Sequence, residues 1–132
     1  MKNHLPIPTE SEEQQALFEW RDRMLGKYPE LKLLHHIPNE GKRSISTGAR
    51  MKREGLTSGV PDISLNVPSG QYHSLHIELK RIKHSRVSAE QEEYIKLLNK
   101  YGNFAVICYG WEEAVKIIEW YLKGAVSKGY KV

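Results

Sequence analysis

The chain has 132 residues, of which 20 are Lys or Arg and 16 are Asp or Glu, so its formal net charge is +4 and its pI is about 9.1. This length supports one domain around a single core and is too short for two. No apolar run approaches membrane-spanning length, and the first residues lack the apolar stretch of a signal peptide. The single Cys108 excludes an internal disulfide and a cysteine-based zinc site. We therefore expect one cytoplasmic domain over residues 1–132, with a core at about residues 10–122 between a short flexible N-terminal arm and tail, and no membrane partner. Its basic charge favours a polyanionic partner.

The N-terminal region predicts an amphipathic helix. Apolar residues recur at helical spacing over residues 9–26, and Thr9 or Ser11 can cap the start of that helix. Glu13 lies one turn before Leu17, on the core-facing stripe, where a carboxylate needs a partner. The alternative for Glu13 is an ordinary first-turn acid that the helix dipole favours.

The next elements are a strand and a weaker helix. Residues 31–37 are rich in apolar and β-forming positions and predict a strand, which ends in the turn residues of 38–41. Residues 44–55 have a mainly polar, poorly aligned helical pattern.

Two strands in the middle of the chain predict a hairpin. Apolar and polar residues alternate over residues 62–67 and again over 74–80, and a Pro-Ser-Gly turn joins the two runs. A hairpin centred on Gly70 would place Asp62 directly opposite Glu78, on one face of the sheet.

This pair of acids predicts a metal site. Like charges directly opposite each other on neighbouring strands, with Cβ atoms roughly 5 Å apart, destabilise the pairing. A divalent cation between Asp62 and Glu78 removes that repulsion, and hard oxygen ligands suit Mg²⁺ or Mn²⁺. Lys80 shares the same face by the period of two. The alternative is a surface hairpin with scattered charges.

The C-terminal half predicts a helix, a buried strand and a last helix. The helix at residues 88–101 begins with a capping box between Ser88 and Gln91, which accounts for Gln91 without any function. Residues 103–109 are continuously apolar, as in strands buried on both faces, and residues 111–122 return to helical spacing.

Basic residues form two groups, one on each side of the predicted metal site in sequence. The first comprises Lys42, Arg43, Arg50, Lys52 and Arg53, and the second comprises Lys80, Arg81, Lys83 and Arg86. One such group alone is typical of a solvated surface. Two groups flanking a metal site predict a track for the phosphates on either side of a cut.

These motifs resemble the PD-(D/E)XK nuclease superfamily, in which Pro61-Asp62 is the first half of the motif and Glu78-Leu79-Lys80 the second. More closely, they resemble the stand-alone, phage-type members of the virus-type replication-repair nuclease family, VRR-NUC. The resemblance extends over about residues 10–122. It rests on Glu13-Gln14, His36-Ile37-Pro38-Asn39-Glu40-Gly41-Lys42-Arg43, Gly59-Val60-Pro61-Asp62-Ile63, Ile77-Glu78-Leu79-Lys80-Arg81, Ser88-x-x-Gln91, Gly110-Trp111 and Tyr121-Leu122.

The resemblance implies an α/β fold with a restriction-endonuclease-like core, in which helices flank a mixed central sheet in the order αβ(α)ββαβα. It also implies roles for residues. Asp62 and Glu78 would bind the metal together with the carbonyl oxygen of Leu79 and, directly or through water, Glu13, with Glu10 as the reserve candidate. The catalytic residues would be Asp62, Glu78, Lys80 and Gln91. Lys42, Arg43, Arg50, Lys52, Arg53, Arg81 and Lys83 would contact DNA, and Arg43 could hold the scissile phosphate.

The activity that the resemblance implies is that of an Mg²⁺- or Mn²⁺-dependent DNA endonuclease. Such a protein would select branched DNA such as Holliday junctions, act as a homodimer, and work in the host cytoplasm if phage-encoded. The aromatic C-terminal helix, with Trp111, Trp120 and Tyr121, is a candidate dimer surface. Two alternatives stay open: a non-catalytic DNA-binding protein with a nuclease-like fold, and a restriction-type endonuclease.

Overall fold

The computed structural model describes residues 5–38 and 45–126. Its elements are α1 (Glu10–Met24), a 3₁₀ helix (Pro29–Leu33), β1 (Leu34–His36), α2 (Ile45–Arg53), β2 (Ile63–Leu65), β3 (Leu75–Lys80), α3 (Ala89–Lys100), β4 (Phe104–Tyr109) and α4 (Trp111–Leu122). This order confirms the predicted αβ(α)ββαβα arrangement. The predicted DNA contacts Lys42 and Arg43 lie outside the described residues.

The four strands form one mixed sheet in the order β1-β2-β3-β4. β1 and β2, and likewise β2 and β3, pair antiparallel, whereas β3 and β4 pair parallel through the crossover that contains α3. Ile63 lies opposite Ile77, and Leu65 lies opposite Leu75. This is the register predicted for a hairpin centred on Gly70.

The strand predicted at residues 31–37 is only partly present. A 3₁₀ helix occupies Pro29–Leu33, and only Leu34–His36 pair with β2. Proline at the first turn of a helix loses no needed donor and already has a helical φ, so Pro29 favours a turn over an extended start. Leu31 is fully buried within that turn, so this position is apolar because it belongs to the core and not because it lies in a strand.

Both long N-capped helices begin where the sequence indicates. The side chain of Thr9, not that of Ser11, accepts a hydrogen bond from Glu12 N, and the Glu12 carboxylate in turn accepts one from Thr9 N. Ser88 and Gln91 form the predicted capping box of α3.

Alternation along β3 assigns its two faces to different neighbours. The odd-numbered side chains Leu75, Ile77 and Leu79 are buried in the main hydrophobic cluster, with residues of α1 and α4. α3 packs against β4, and its Gln91 reaches the even-numbered Glu78. The sheet is therefore covered by helices on both faces, and the predicted acids lie on the face towards α3.

The aromatic side of α4 belongs largely to this core. Tyr121 is fully buried, and its hydroxyl donates to the carbonyl oxygen of Val67 at 2.6 Å. The Trp120 ring lies against Phe104, with ring centroids 4.9 Å apart. The expectation that Tyr121 belongs to a dimer surface is therefore wrong, because its aromatic stripe packs inward.

Among residues 5–38 and 45–126, the structure has no helix with the length and apolar character needed to cross a bilayer.

Candidate active site

Strand pairing brings the two predicted acids together. Because Ile63 faces Ile77, the preceding Asp62 stands opposite Glu78 at the end of the hairpin. The backbone of Asp62 is held by β1, since its carbonyl oxygen accepts a hydrogen bond from Ile37 N at 2.7 Å. Its side-chain Oδ1 accepts from Leu79 N at 3.0 Å, which directs the carboxylate towards the end of β3.

Glu78 is held by one hydrogen bond and one ion pair, both at the same oxygen. It is only 5% exposed, and its Oε2 accepts a hydrogen bond from Gln91 Nε2 at 3.1 Å. The ammonium of Lys80, itself buried, lies 3.6 Å from Oε2. Gln91 therefore has two roles at once, because its Oε1 accepts from Ser88 N in the capping box while its Nε2 fixes Glu78.

The environment disfavours negative charge on both carboxylates. Burial raises the pKa of Asp62 to about 6. Burial, and then repulsion from Asp62, raise the pKa of Glu78 to about 8. The positive charge of Lys80 acts in the opposite direction but does not outweigh these two effects.

These residues fit a divalent cation. The half-buried Asp62 and the buried Glu78 repel each other, and an ion between them would supply a compensating charge. The hydrogen bonds from Leu79 and Gln91 each occupy only one oxygen of a carboxylate. Within the described ranges, no group of three or more His, Cys, Asp or Glu side chains is arranged to hold a metal. The pair Asp62 and Glu78 is thus the carboxylate part of the candidate site. Mg²⁺ commonly binds through one or two carboxylates and takes waters and phosphate oxygens for the rest.

Glu13 has a different partner. It is 2% exposed, and its Oε1 accepts a hydrogen bond from Trp111 N, the first residue of α4, at 3.0 Å. The N-cap position of α4 is Gly110, which provides no side-chain cap. Glu13 therefore caps α4 from α1, and its role as a metal ligand stays a prediction.

Glu10 is the acid of α1 whose charge reaches the pair. It lies in the first turn of α1 and is exposed. Its negative charge contributes to the raised pKa of both Asp62 and Glu78. The residue predicted as the reserve candidate is thus electrostatically coupled to the site.

The predicted DNA contacts do not all lie in similar surroundings. Arg50, Lys52 and Arg53 are exposed in the last turn of α2, and Lys83 is exposed after β3. Lys52 and Gln91 line the same cavity of about 270 Å³, so the basic end of α2 borders the site.

Arg81 is already used within the protein. Its guanidinium donates from Nε to the carbonyl oxygen of Pro8 at 3.1 Å and from Nη2 to that of Ile7 at 2.8 Å. The structure therefore shows two backbone partners for a residue predicted to contact DNA.

A polar chain beside the site had no part in the sequence predictions. His76 Nε2 lies 2.7 Å from Ser74 Oγ, which donates to Asn103 Oδ1, and His76 Nδ1 lies 3.0 Å from Ser64 Oγ. Because Ser74 donates to Asn103, it accepts from Nε2–H of His76, and Nδ1 then accepts from Ser64. The signal available in the sequence was alternation, which places His76 on the same face as Glu78.

A mixed sheet flanked by helices, with an aspartate, a glutamate and a lysine gathered at the end of a hairpin, defines a nuclease-type domain with a PD-(D/E)XK core. Comparison with known proteins agrees with this class. The model of the VRR-NUC domain family matches residues 8–112. A solved structure described as a VRR_NUC domain protein is 32% identical, with a TM-score of 0.77 and coverage of 89% of this chain and 91% of that one. No curated protein sequence matches the chain. The chain belongs to the VRR-NUC family.

Proposed function

We propose that this protein is an Mg²⁺- or Mn²⁺-dependent DNA endonuclease that hydrolyses phosphodiester bonds and selects branched DNA such as Holliday junctions. The observation that supports it most directly is that Asp62 and Glu78 flank the last pair of the hairpin, Ile63 with Ile77, and both have raised pKa values. A site that disfavours two negative charges is suited to a cation and to the phosphate that accompanies it.

Each residue of the site has a distinct part in this proposal. Asp62 and Glu78 hold the cation, with the carbonyl oxygen of Leu79 as a predicted further ligand. A bound divalent ion in such a site polarises the phosphate and lowers the pKa of a water ligand. Lys80 supplies a fixed positive charge beside Glu78, where it stabilises the negative charge that develops on the phosphate. Gln91 keeps Glu78 in one orientation through its hydrogen bond to Oε2.

The basic residues near the site provide the contacts to the DNA backbone. Arg50, Lys52 and Arg53 end α2 beside the cavity that Gln91 also lines, and Lys83 follows β3. Contacts of this kind position the duplex without reading its sequence. They suit a nuclease that recognises the shape of its substrate.

A homodimer is part of the same proposal. A four-way junction has two-fold symmetry, and two copies related by a two-fold axis can present one site to each of two equivalent strands.

The proposal is tested by incubating the purified protein with a labelled four-way junction, a flap and a linear duplex, with and without Mn²⁺. We expect Mn²⁺-dependent cutting of the branched substrates. Asp62→Asn, Glu78→Gln and Lys80→Met should lose cutting but still bind DNA. The matched control is Asp22→Asn, because Asp22 is an exposed acid of α1 paired with Arg21, and this variant should cut like the wild type.

Three results would contradict the proposal. Mn²⁺-dependent cutting by Glu78→Gln would show that Asp62 and Glu78 do not hold the metal as a pair. Binding of all three substrates without cutting would identify a non-catalytic DNA-binding protein. Cutting only at particular sequences of the linear duplex would identify a restriction-type enzyme.

A further inference from the structure

We propose that Arg81 is a positioning residue of the metal site, whose guanidinium ties the segment before α1 to the end of β3 and so holds the first turn of α1, which carries Glu10, against the strand that bears Glu78. This inference rests on the proposed function, because it concerns how tightly the same site binds its metal ion.

The first support is the pair of hydrogen bonds that Arg81 makes. Nε and Nη2 donate to the carbonyl oxygens of two successive residues, Pro8 and Ile7. These are the two residues that precede Thr9, the N-cap of α1. The planar guanidinium can serve both carbonyls at once, which one ammonium group cannot do in the same geometry. Arg81 follows Lys80 at the end of β3, so alternation places it with Leu79, on the face where α1 packs.

A second connection ties α1 to the same place. Glu13 accepts from Trp111 N, and the neighbouring Gly110 N donates to the carbonyl oxygen of Lys80 at 2.8 Å. The first turn of α1 is thus fixed on both sides of Glu10, through Arg81 before it and through Glu13 after it. Both connections end just after Leu79, one at Lys80, the last residue of β3, and the other at Arg81, which follows it.

Glu10 is the acid that lies between these two connections. The charge of Glu10 contributes to the raised pKa of Asp62 and of Glu78. Among the described residues, no third acid is already grouped with Asp62 and Glu78, so Glu10 is placed to act on a bound cation through its charge or through a water. Moving the first turn of α1 would weaken that contribution while leaving the pair of Asp62 and Glu78 in place.

The competing role for Arg81 is a direct contact to a DNA phosphate. Arginine has five N–H donors, and two of them are used by Pro8 and Ile7. Its other donors could still bind a phosphate. Arg81→Lys keeps the positive charge but not the planar set of donors, so this substitution separates the two roles.

The test measures Mn²⁺ binding to the metal-free protein in the absence of DNA, by titration calorimetry. Arg81→Lys, Arg81→Gln and Glu10→Gln are each expected to weaken Mn²⁺ binding on the order of tenfold, as for other groups just outside the ligands of a metal. The double variant Arg81→Gln/Glu10→Gln should bind no more weakly than the weaker single variant, because both changes remove the same interaction. The control is Arg23→Gln, an exposed arginine at the far end of α1, which should bind Mn²⁺ like the wild type.

Two further readouts separate positioning from general damage and from DNA contact. Hydrogen exchange should show faster exchange at the first turn of α1 in Arg81→Lys, with β3 and β4 unchanged. DNA affinity without metal should be no lower for Arg81→Gln than for the control Arg23→Gln, which loses the same charge, whereas a phosphate contact by Arg81 would make it lower.

Unchanged Mn²⁺ affinity in Arg81→Gln, with weakened DNA binding that Arg81→Lys restores, would overturn the inference in favour of a phosphate contact. A loss in the double variant equal to the sum of the single losses would also overturn it. If Asp62→Asn binds Mn²⁺ as tightly as the wild type, the proposed metal site itself fails, and that result is distinguishable from the other two.

Discussion

At the scale of single residues, the surroundings of Glu78 disfavour its ionised form. Its pKa is raised to about 8 by burial and by Asp62, against about 4.3 for an unfolded glutamate. Between these pH values the folded protein binds more protons than the unfolded chain, so the metal-free protein loses stability as the pH rises. The raised pKa of Asp62, about 6, acts in the same direction over the lower part of that range.

We therefore predict that the thermal midpoint of the metal-free protein falls from about pH 5 to about pH 8. Glu78→Gln should show a shallower fall and be more stable than the wild type at the upper end, because it carries no buried charge there. Added Mn²⁺ should stabilise the wild type most at the upper end. The measurement is thermal unfolding across this range, first with a chelator and then with Mn²⁺. Equal pH dependence in the wild type and Glu78→Gln would contradict the prediction.

Gln91 can be divided into its two roles by a matched pair of substitutions. Ser88→Ala removes the hydrogen bond that Ser88 Oγ accepts from Gln91 N and keeps the one from Gln91 Nε2 to Glu78. Gln91→Ala keeps the Ser88 Oγ cap and removes the hydrogen bonds of the Gln91 side chain to Ser88 N and to Glu78. We expect each to lower the free energy of unfolding by about 1 kcal/mol. Only Gln91→Ala should also reduce the cleavage rate per folded molecule, since only it frees Glu78. Chemical denaturation and single-turnover cleavage check the two effects, and equal cleavage rates would limit Gln91 to capping.

The sequence was sufficient for the residues whose position depends on alternation. Asp62 and Glu78 could be placed opposite each other because the register of a two-stranded hairpin follows from its turn. The partner of Glu13 could not be predicted, because Trp111 lies in the last helix and meets α1 only when both pack on the sheet. For the same reason, a basic run in the sequence did not distinguish Arg81, bound to backbone carbonyls, from the exposed Lys83.

At the scale of elements, the junction between α1 and α4 depends on one carboxylate. Glu13→Ala would leave the N–H of Trp111 without its partner in a part-buried position, at a cost of about 1–3 kcal/mol. Glu13→Gln keeps an acceptor oxygen and should recover most of that loss. Denaturation of both variants measures the difference.

The same pair tests whether Glu13 also binds metal. A capping role predicts that Glu13→Gln keeps Mn²⁺ affinity near that of the wild type. If Glu13→Gln loses Mn²⁺ as Glu78→Gln does, Glu13 is a ligand and its cap is secondary.

The loop before β2 depends on close contact with α3. Gly59 has a φ of +87°, and a Cβ at this position would lie 2.4 Å from the carbonyl oxygen of Glu90. Gly59→Ala should therefore destabilise the protein by more than about 1 kcal/mol, through both strain and overlap. The control is Gly48→Ala in α2, where a Cβ meets nothing within 4 Å and should be neutral or stabilising. Thermal unfolding of the two variants measures the difference, and equal midpoints would contradict the close contact between Gly59 and Glu90.

Sequence patterns predicted the elements well where one pattern had one physical cause. α4 was predicted at residues 111–122 and lies at Trp111–Leu122, because its apolar spacing comes from packing on the sheet. The strand prediction was wrong over residues 31–33, because a buried leucine such as Leu31 occurs in a 3₁₀ turn as readily as in a strand.

At the scale of the whole molecule, the basic residues predicted to bind DNA can be changed without changing the two acids predicted to bind the metal. Arg50, Lys52 and Arg53 lie in the last turn of α2, which borders the site but is not part of the hairpin that holds Asp62 and Glu78. Replacing the three with Gln should weaken DNA binding and lower the slope of log affinity against log salt by roughly 0.9 for each phosphate that is no longer neutralised. Mn²⁺ affinity should not change. Filter binding over a salt series measures the slope, and an unaltered slope would place the DNA elsewhere.

The central claim is that a hairpin forces two carboxylates into a position where they share one cation. The most direct test is titration of the metal-free protein with Mn²⁺ at about pH 8, where Asp62, with a pKa of about 6, is ionised and Glu78, with a pKa of about 8, is half-ionised, so that protons compete with the ion only about twofold. The wild type should bind Mn²⁺, and Asp62→Asn and Glu78→Gln should each lose that binding while keeping a cooperative thermal transition. Wild-type Mn²⁺ affinity in either folded variant would show that the two acids do not share an ion.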